Sequence, residues 1–428
     1  MGKRKNKQEK KQNNRKRNIR NALIKSVLIV SLFLLGILSV CLMQIILADQ
    51  KDTRPQTAFH PSASKHTPAN DSPAESAAAS QKEKPAEKPT KKPAENAAEN
   101  ALKNTAKKPE PPKDTTLVFA GDVYLSDYVL AAYQQSGIQG ILSKELRKEL
   151  KQADVTMVNN EFPYSMRGTQ ALNKQFTFRV DPSYVRILSE SGIDLVTLAN
   201  NHVLDYGTDA LLDTFHTLRE AGISYAGAGN SLERAAKPIR KKANGHTFGF
   251  LAASRVFPTV SWNVENAQPG VFSAYDPSRL LAAVKDARAE CDFLCVYVHW
   301  GIERSTTPEE YQVTLAHALI DAGADAVIGA HPHVLQGVEF YNGKPIFYSL
   351  GNFIFYQNIE QTAIAKVTLT DQQDAQWQML PAKASLSCTS LVTDPAARGD
   401  FYNYMEDLSK NVTFLEDGTI IDKNPQPD

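Results

Sequence analysis

The fold of this 428-residue chain is indicated most clearly by the residues from Phe293 to His333, FLCVYVHWGIERSTTPEEYQVTLAHALIDAGADAVIGAHPH. This stretch begins with a short apolar run, Phe293–Val298, and ends with a second one, Ala326–Gly329, just before two histidines. Between the runs, Thr307-Pro308 places a capping residue before a proline, which is a common helix start. The stretch therefore predicts a strand, a helix and a second, parallel strand.

The same alternation extends over the chain beyond Thr116. Further strands are predicted at Leu117–Ala120, Val155–Asn159, Leu195–Ala199, Thr247–Ala252 and Ile346–Ser349. Further helices are predicted after Asp181-Pro182, after Asp276-Pro277, at Leu211–Leu218 and at Arg398–Leu408, and another strand near Trp377–Leu380. Alternating strands and helices indicate an α/β domain with largely parallel β-structure, which we place at residues 116–421.

Polar side chains follow the predicted strands directly, where each strand ends. They are Asp122, Glu161, Asn201, His202, His299, His331 and His333. Each alone has a structural explanation as a cap, a surface acid or a structural histidine. Because ligands gather at the carboxyl ends of parallel strands, the set together predicts a metal site. Imidazole and oxygen ligands suit Mn, Zn or Fe, as one ion or two.

The motifs at these strand ends resemble the CapA family of poly-γ-glutamate capsule proteins. They are Gly121-Asp122, Asn160-Glu161, Ala199-Asn200-Asn201-His202 with Asp205-Tyr206-Gly207, His299-Trp300-Gly301 with Glu303, Gly329-Ala330-His331-Pro332-His333 and Ser349-Leu350-Gly351-Asn352-Phe353. The resemblance covers roughly Thr116 to Phe355. Because the family is similar to calcineurin-like metallophosphatases, the resemblance implies an α/β/β/α sandwich with a metal site at its strand ends.

The resemblance also implies a role for each residue of the site. The implied metal ligands are Asp122, Glu161 as the bridging carboxylate, Asn201, His299, His331 and His333. The implied catalytic pair is His202, as the acid that protonates a leaving group, with Asp205 orienting it. Asp205 could instead cap a helix that starts near Gly207.

Two positions depart from the metallophosphatase pattern, and others stay open. Tyr124 stands where that pattern has a histidine, and Glu161 stands where it usually has an aspartate, so one metal site could be weakened or absent. Glu303 could contact substrate or form a salt bridge, and Trp300 could pack or bind. The remaining histidines are expected to be structural or at the surface: His60, His66, His216, His246 and His317.

The N-terminal region predicts a membrane anchor. Lys and Arg crowd the first 22 residues, and no charged residue occurs from Ser26 to Ala48. A helix over residues 23–48 is long enough to cross the hydrocarbon core, and the positive-inside rule places the basic tail in the cytoplasm. We favour a topology signal over nucleic-acid binding for the basic run. A cleaved signal peptide is the alternative, but its apolar core is usually shorter.

Residues 49–115 predict a disordered linker between this anchor and the domain. Ala, Lys, Glu and Pro recur there, with few aromatic or β-branched residues, so little apolar surface can be buried. The last residues, 422–428, are expected to form a flexible tail. The cysteine positions imply no disulfide framework, since Cys291 and Cys295 on one strand are too far apart to bridge.

Two functions are compatible with this sequence. The resemblance implies a single-pass cell-membrane protein with an extracellular domain, acting in capsule or poly-γ-glutamate synthesis or export. Its expected partners are the membrane subunits of a polymer synthase or exporter and the anionic polymer itself. The alternative is an extracellular metal-dependent hydrolase acting on phosphoesters or on amides of the polymer or wall.

Overall fold

The computed structural model describes residues 113–264, 268–370 and 374–425. The predicted basic tail, the membrane helix and residues 49–112 of the linker lie outside these ranges, as do residues 426–428 of the predicted C-terminal tail, and all stay predictions. Thr115, the last residue of the predicted linker, begins the first described strand, and Asp422, the first residue of the predicted C-terminal tail, ends the last one. Across the ranges that are described, no helix combines the length and the apolar character needed to span a membrane.

The described residues alternate between strands and helices. The strands are β1 Thr115–Val123, β2 Val155–Asn160, β3 Leu195–Thr197, β4 Ser224–Ala226, β5 Ala228–Gly229, β6 Ile239–Ala243, β7 His246–Ser254, β8 Gly270–Val271, β9 Phe293–His299, β10 Ala326–Ala330, β11 Val338–Tyr341, β12 Lys344–Phe347, β13 Asn352–Ile354, β14 Ile359–Leu369, β15 Ala375–Ser385, β16 Cys388–Leu391, β17 Val412–Phe414 and β18 Ile420–Asp422. The helices are α1 Asp127–Ser136, α2 Lys144–Gln152, α3 Arg186–Ser191, α4 Gly207–Glu220, α5 Leu232–Ala236, α6 Ser278–Arg288, α7 Glu310–Asp321 and α8 Pro395–Leu408. Short 3-10 turns occupy Gly137–Gly140, Pro182–Val185 and Val260–Trp262.

Two large sheets contain most of these strands. The first has the order β16-β15-β14-β1-β2-β3-β4, with β13 beside β1, and the second has the order β11-β12-β10-β9-β7-β6. Strands β1 to β4 are parallel, and so are β7, β9, β10 and β12. The flanking pairs are antiparallel, including β1 with β14 and β6 with β7. The expectation of largely parallel sheets therefore holds for β1 to β4 and for β7, β9, β10 and β12, and is wrong for the strands added by antiparallel pairing, which are β6, β11 and β14 to β16.

The two large sheets face each other across a shared core. Phe119 of β1 lies 6.4 Å from Phe250 of β7, measured between ring centroids. Trp377 of β15 lies 6.1 Å from Phe119 and 5.3 Å from Phe347 of β12. All four rings are buried. Aromatic contacts of this size contribute much of the apolar area that stabilises such a core.

Helices cover the outer face of the second sheet. Leu294, Val296 and Val298 of β9 belong to a cluster with side chains of α6 and α7. Cys295 and Tyr297, at the alternating positions, belong to the core between the sheets. Alternation along a strand thus sends one set of side chains to each face. The domain is a mixed α/β sandwich.

The predicted start at Asp181-Pro182 holds, and the other two are displaced: α6 begins at Ser278 with Pro277 as its N-cap, so Pro277 is not the first helical residue. Asp181 accepts a hydrogen bond from Ser183 N at 2.8 Å, at the start of the 3-10 turn before α3. Asp276 accepts one from Ser278 N at 3.0 Å, at the start of α6. The prediction of Pro308 at the first helical position is wrong, because α7 begins at Glu310 with Glu309 as its N-cap.

A close backbone approach joins β1 to the loop before β13. The backbone N of Asp122 donates to the carbonyl oxygen of Gly351 at 2.9 Å. A Cβ at Gly121 would lie only 1.8 Å from the same oxygen, so a residue without a side chain is required there. This approach fixes Asp122 at the edge of the sheet where the parallel strands end.

Candidate metal centre

The structure brings the six predicted ligands to one edge of the sandwich. Asp122 lies near the end of β1, and His299 is the last residue of β9. The others follow β2, β3 and β10; they are Glu161, Asn201, His331 and His333. The side chains of Asp122, Glu161 and His299 are fully buried. The edge of strand ends thus collects carboxylate, amide and imidazole groups away from bulk water.

Three of these residues form a tight group. One donor atom from each of Asp122, Glu161 and His333 lies within 4.8 Å of the other two. His333 Nδ1 is 3.2 Å from Asp122 Oδ2, and His333 Nε2 is 3.9 Å from Glu161 Oε2. Three converging donor atoms at this spacing can share one cation.

Glu303 belongs to a second group that shares His333. Donor atoms of Glu303, His331 and His333 also lie within 4.8 Å of one another. Glu303 is exposed, whereas His331 is buried. The sequence left its role open between substrate contact and salt bridge, and the structure places its carboxylate where it can be a ligand.

An amide network that sequence analysis missed orients the carboxylates. Asn159 Nδ2 lies 2.8 Å from both Asp122 Oδ1 and Glu161 Oε1. Asn200 Nδ2 in turn donates to Asn159 Oδ1 at 3.0 Å. Asn159 directly precedes the Asn160-Glu161 motif, and Asn200 directly precedes Asn201. Their positions beside the predicted strand ends were the signal that could have identified them. Such outer hydrogen bonds hold ligand side chains in place.

His299 occupies the second-sheet side of the same edge. Its Nε2 lies 3.0 Å from Asn201 Oδ1, and its Nδ1 lies 3.5 Å from Glu161 Oε1. The His299 and His331 rings are 4.7 Å apart, measured between centroids. His299 therefore connects Asn201, contributed by the first sheet, to His331 of the second sheet.

The turn after β10 has an unusual backbone. His331 has φ 97° and His333 has φ 59°, both in a region that residues with side chains rarely adopt. Strained conformations of this kind cluster at functional sites, where the surrounding structure holds them. Here the turn brings the imidazoles of His331 and His333, on either side of Pro332, into one group of donor atoms with Glu303.

Burial shifts the pKa values of the site away from their usual ranges. It lowers the pKa of His299 well below normal and that of His331 to about 3, so both rings are neutral and each has one unprotonated nitrogen. Burial, with Asp122 adding to it, raises the pKa of Glu161 well above normal. Burial alone would lower the pKa of His333, but Glu161 and Asp122 outweigh it and raise that pKa to about 10. The carboxylates thus attract positive charge strongly.

Two buried atoms of the group lack a hydrogen-bond partner among the described residues. They are Glu161 Oε2 and His331 Nδ1. Leaving a buried polar atom without a partner is costly, and a bound ligand can supply the missing interaction. The donors at this edge are carboxylate oxygens, an amide oxygen and the imidazoles of His299, His331 and His333. This donor set fits a divalent transition metal.

His202 and Asp205 form a pair beside these groups. His202 Nδ1 lies 2.7 Å from Asp205 Oδ2, and both side chains are buried. The Phe178 backbone N also donates to Asp205 Oδ2 at 2.7 Å. Helix α4 begins at Gly207 with Tyr206 as its N-cap and no side-chain cap. The capping alternative for Asp205 is therefore wrong, and its carboxylate orients the histidine.

Lys174 is a site residue that the sequence did not indicate. Its Nζ donates to the carbonyl oxygen of Asn201 and to Asp205, and lies 2.9 Å from His202 Nδ1. It also lies 5.2 Å from the centroid of the Trp262 ring. No strand-end position marks Lys174, because it comes from an irregular segment between β2 and α3. Only the fold brings this cation to the pair.

Tyr124 lines the site as an aromatic wall. It stacks on Phe178 at 3.9 Å, and Phe178 stacks on His202 at 4.0 Å, between ring centroids. Burial raises the pKa of Tyr124 to about 12, so its phenol stays protonated at neutral pH. A neutral phenol is a poor metal ligand. The histidine that the metallophosphatase pattern has here is replaced by a group that helps to hold the His202 ring.

Trp300 and three of the other histidines have structural surroundings. Trp300 is fully buried, and its Nε1 donates to the carbonyl oxygen of Tyr348 at 2.9 Å, which favours the packing role. His317 stacks on Tyr341 at 3.8 Å. His216 and His246 lie beside acidic side chains, at 3.9 and 3.7 Å. His60 and His66 lie outside the described residues.

The model of the family described as "Bacterial capsule synthesis protein PGA_cap" matches residues 116–357. The chain belongs to this family. All six predicted ligands, the His202–Asp205 pair, Lys174 and Glu303 fall within the matched residues. The family match therefore coincides with the part of the domain that builds the strand-end site.

Named relatives agree with the family. The chain is 33% identical to "PGA biosynthesis protein CapA" of Bacillus subtilis over 57% of this chain and 64% of that protein. It is 29% identical to "Capsule biosynthesis protein CapA" of Bacillus anthracis over 69% and 74%. The matched part thus spans a little less than two thirds of the B. subtilis relative. A crystal structure of a hypothetical protein from Thermus thermophilus aligns with TM-score 0.40, 18% identity, and coverage of 63% of this chain and 100% of that one.

The two donor groups, Asp122, Glu161, Glu303, His331 and His333, are together called the metal group below. A cleft of about 670 Å³ opens beside this group. His202, Glu303 and His333 line it, so the histidine of the His202–Asp205 pair and residues of both donor groups face the same space. Aromatic side chains form much of its wall: Tyr124, Phe176, Phe178, Phe355, Tyr356 and Tyr404. A concave space with apolar walls and a few converging polar groups is typical of a ligand site.

Proposed function

We propose that this chain is an accessory protein in the synthesis or export of an anionic extracellular polymer of the poly-γ-glutamate type. The observation that carries the proposal is the buried donor group at the strand ends, inside the residues that match the capsule-synthesis family. The names of the Bacillus relatives support the polymer class. The fold and ligand set also support a metallophosphatase-like domain that holds one or two divalent transition metals.

The proposal includes a single-pass anchor formed by residues 23–48, with the domain outside the cell. In that arrangement the linker, residues 49–115, separates the domain from the membrane, where synthase or export subunits are the expected partners. The support is the uncharged apolar span with its basic flank. Protease added to wall-free cells should cut within the linker, and a protected domain would refute the orientation.

In the proposed site, Asp122, Glu161 and His333 hold a first cation. Asn201, His299, His331 and Glu303 complete that group or hold a second one. When bound, a divalent metal supplies a Lewis acid at this edge. Asn159 holds both carboxylates in place through its amide. The chain itself thus arranges the donors and excludes water from them.

Hydrolysis is the second candidate function, and the His202–Asp205 geometry favours it. Asp205 fixes the Nδ1 side of the ring, so Nε2 is the nitrogen that gives a proton to a leaving group when the ring is protonated. Phe178 stacks on the ring and restricts its rotation. A phosphoester or an amide of the polymer or wall is the expected substrate class.

Elemental analysis of the full-length protein, purified without chelator, tests the metal site. We expect at least one Mn, Zn or Fe ion per chain and a rise in melting temperature when metal is added to the stripped protein. His299→Ala and His331→Ala should lower the metal affinity strongly. His317→Ala, which changes a histidine far along α7 from this edge, is the matched control and should keep wild-type affinity.

Activity assays separate the two functions. The metal-loaded protein is incubated with a generic phosphoester and with poly-γ-glutamate, and polymer production is measured in cells that carry each variant. Turnover that His202→Ala removes supports the hydrolase. A metal-loaded protein without turnover, whose His299→Ala variant stops polymer production, supports the accessory role. A metal-free protein without a thermal response to Mn or Zn would end the site proposal.

A further inference from the structure

The cleft beside the metal group has an uneven distribution of charge. Arg304 is the one lysine or arginine among the described residues that line it, and Glu303 and Glu360 are its acids. Since donor atoms of Glu303 and His333 belong to the metal group, Arg304 is the positively charged side chain of the described cleft lining that lies outside that group. A long polyanion held by charge alone needs a row of cations, and this cleft does not supply one.

The Arg304 side chain is not used by the fold. Its backbone N donates to the carbonyl oxygen of Pro332 at 2.7 Å, but its guanidinium has no hydrogen bond or ion pair with any described residue. Arg304 is exposed, and its φ of 64° lies in the left-handed region, where a residue with a side chain is strained. A strained backbone that presents an unpaired cation to a ligand cleft indicates a role in recognition.

The segment that carries Arg304 is held firmly. Gln336 Nε2 donates to the carbonyl oxygen of Ser305 at 2.9 Å, and Gly301 N donates to the Tyr311 hydroxyl at 2.6 Å. The bond from Arg304 N to Pro332 ties the segment to the turn that bears His331 and His333. The guanidinium therefore has a fixed origin relative to the metal group. A planar donor of this kind pairs well with carboxylate or phosphate oxygens.

The rest of the cleft suits the uncharged parts of a ligand. Asn358 and Gln361 offer amide groups, and the aromatic wall offers flat apolar surfaces. Glu360 disfavours a second negative charge near itself. A ligand that places one oxyanion group near the metal group, lays its amide links along these walls and keeps its other charges in solvent would match all of these groups.

We infer that Arg304 binds one oxyanion group, a carboxylate or a phosphate, of the ligand that occupies this cleft, and that the cleft binds one such group at a time. The inference rests on the proposed function, because it concerns the ligand of the same site. Arg304 is then a specificity-determining residue, which selects acidic ligands without holding the metal.

Isothermal titration of the full-length, metal-loaded protein tests this assignment with two probes, a γ-linked glutamate trimer and phenyl phosphate. Arg304→Gln should weaken binding of the preferred probe about tenfold or more, since a charge-assisted hydrogen bond is lost. Arg304→Lys should recover part of the affinity. Arg219→Gln, an exposed arginine on α4 outside the cleft lining, is the control and should bind as wild type does. Loss for the trimer alone identifies a carboxylate, and loss for phenyl phosphate alone identifies a phosphate.

A γ-linked glutamate decamer tests the one-group claim. Its affinity should exceed that of the trimer only in proportion to the number of its carboxylates that can occupy the site in turn. The affinity should depend only weakly on salt concentration. A steep salt dependence and a large gain with length would overturn it. Equal probe binding by wild type and Arg304→Gln, or no probe binding by a metal-loaded wild type, would overturn the assignment of Arg304 alone. A wild type that holds no metal is the separate failure of the proposed function. Melting temperature and metal content should be unchanged in Arg304→Gln, which excludes misfolding as the cause.

Discussion

Glu161→Gln should stabilise the metal-free protein and remove most of its stabilisation by metal. Glu161 is fully buried, its Oε1 accepts from Asn159 at 2.8 Å, and its Oε2 has no hydrogen-bond partner among the described residues. Burial and then Asp122 raise the pKa of Glu161, so the folded, metal-free state disfavours its charge. A glutamine keeps the oxygen that Asn159 needs and carries no charge.

The sign and size of the effect follow from this environment. A carboxyl whose pKa is higher in the folded state subtracts stability at pH values above its unfolded pKa, about 4.3, and the loss disappears below that pH. An unsatisfied buried polar group costs about 1–3 kcal/mol, and more when charged. His333, 3.9 Å away, offsets part of this cost. We expect a net gain of about 2 kcal/mol at neutral pH, or roughly 4–8 °C in melting temperature.

The assay is thermal unfolding in chelator near pH 7 and again near pH 4, followed by titration with Mn²⁺ or Zn²⁺. Metal at about a hundred times its Kd should stabilise wild type by about 2.7 kcal/mol, and the variant far less. Glu149→Gln is the control, because Glu149 pairs with Lys366 at 2.9 Å, away from the strand ends. It should lose at most about 1 kcal/mol and respond to metal as wild type does. A less stable metal-free Glu161→Gln, or one with the full metal response, would refute the argument.

Three further predictions concern the catalytic pair, a backbone contact and acid stability. If the protein is a hydrolase, His202→Ala should reduce turnover by roughly 10²–10⁴ with metal content unchanged, and Asp205→Asn should reduce it less, as steady-state kinetics would show; full turnover and polymer production in both variants would leave the pair without a role. Gly121→Ala should destabilise the domain by several kcal/mol in denaturant unfolding, because its Cβ would meet the Gly351 oxygen at 1.8 Å, whereas Gly399→Ala in α8, with open space around it, should stabilise by about 0.5–1 kcal/mol; equal effects would contradict the close approach. Burial alone would raise the pKa of Glu339, but hydrogen bonds from Tyr348 and Lys410 outweigh it and lower that pKa. The contribution of Glu339 to the free energy of unfolding, about 1 kcal/mol, is therefore present above the unfolded pKa of about 4.3 and is lost as pH falls through the lower folded value. Glu339→Gln should flatten the acid limb of the curve of stability against pH, and an unchanged limb would show that the group does not contribute.

The central strands and the polar residues at their ends could be predicted from sequence. Local patterns such as Phe293–Val298 and Ala326–Gly329 decide those strands, because an apolar run between turn signals has few other solutions. The positions of His299, His331 and His333 follow once parallel strands are assumed, since parallel strands end at one edge. The antiparallel pairing of β14 with β1 was missed because it joins residues far apart in the chain.

The amino-acid pattern alone sufficed to predict the order of the central strands and the strand-end positions of the proposed ligands, and its uncharged span predicts an anchor. Packing decided that Asn159 holds two carboxylates, that Lys174 reaches the His202–Asp205 pair, and that the Arg304 guanidinium in the cleft has no ion pair with a described residue. The physical reason is that local periodicity sets the direction of a side chain on its own element. Contact, burial and missing partners depend on the packing of segments that are distant in sequence, and no local pattern records them.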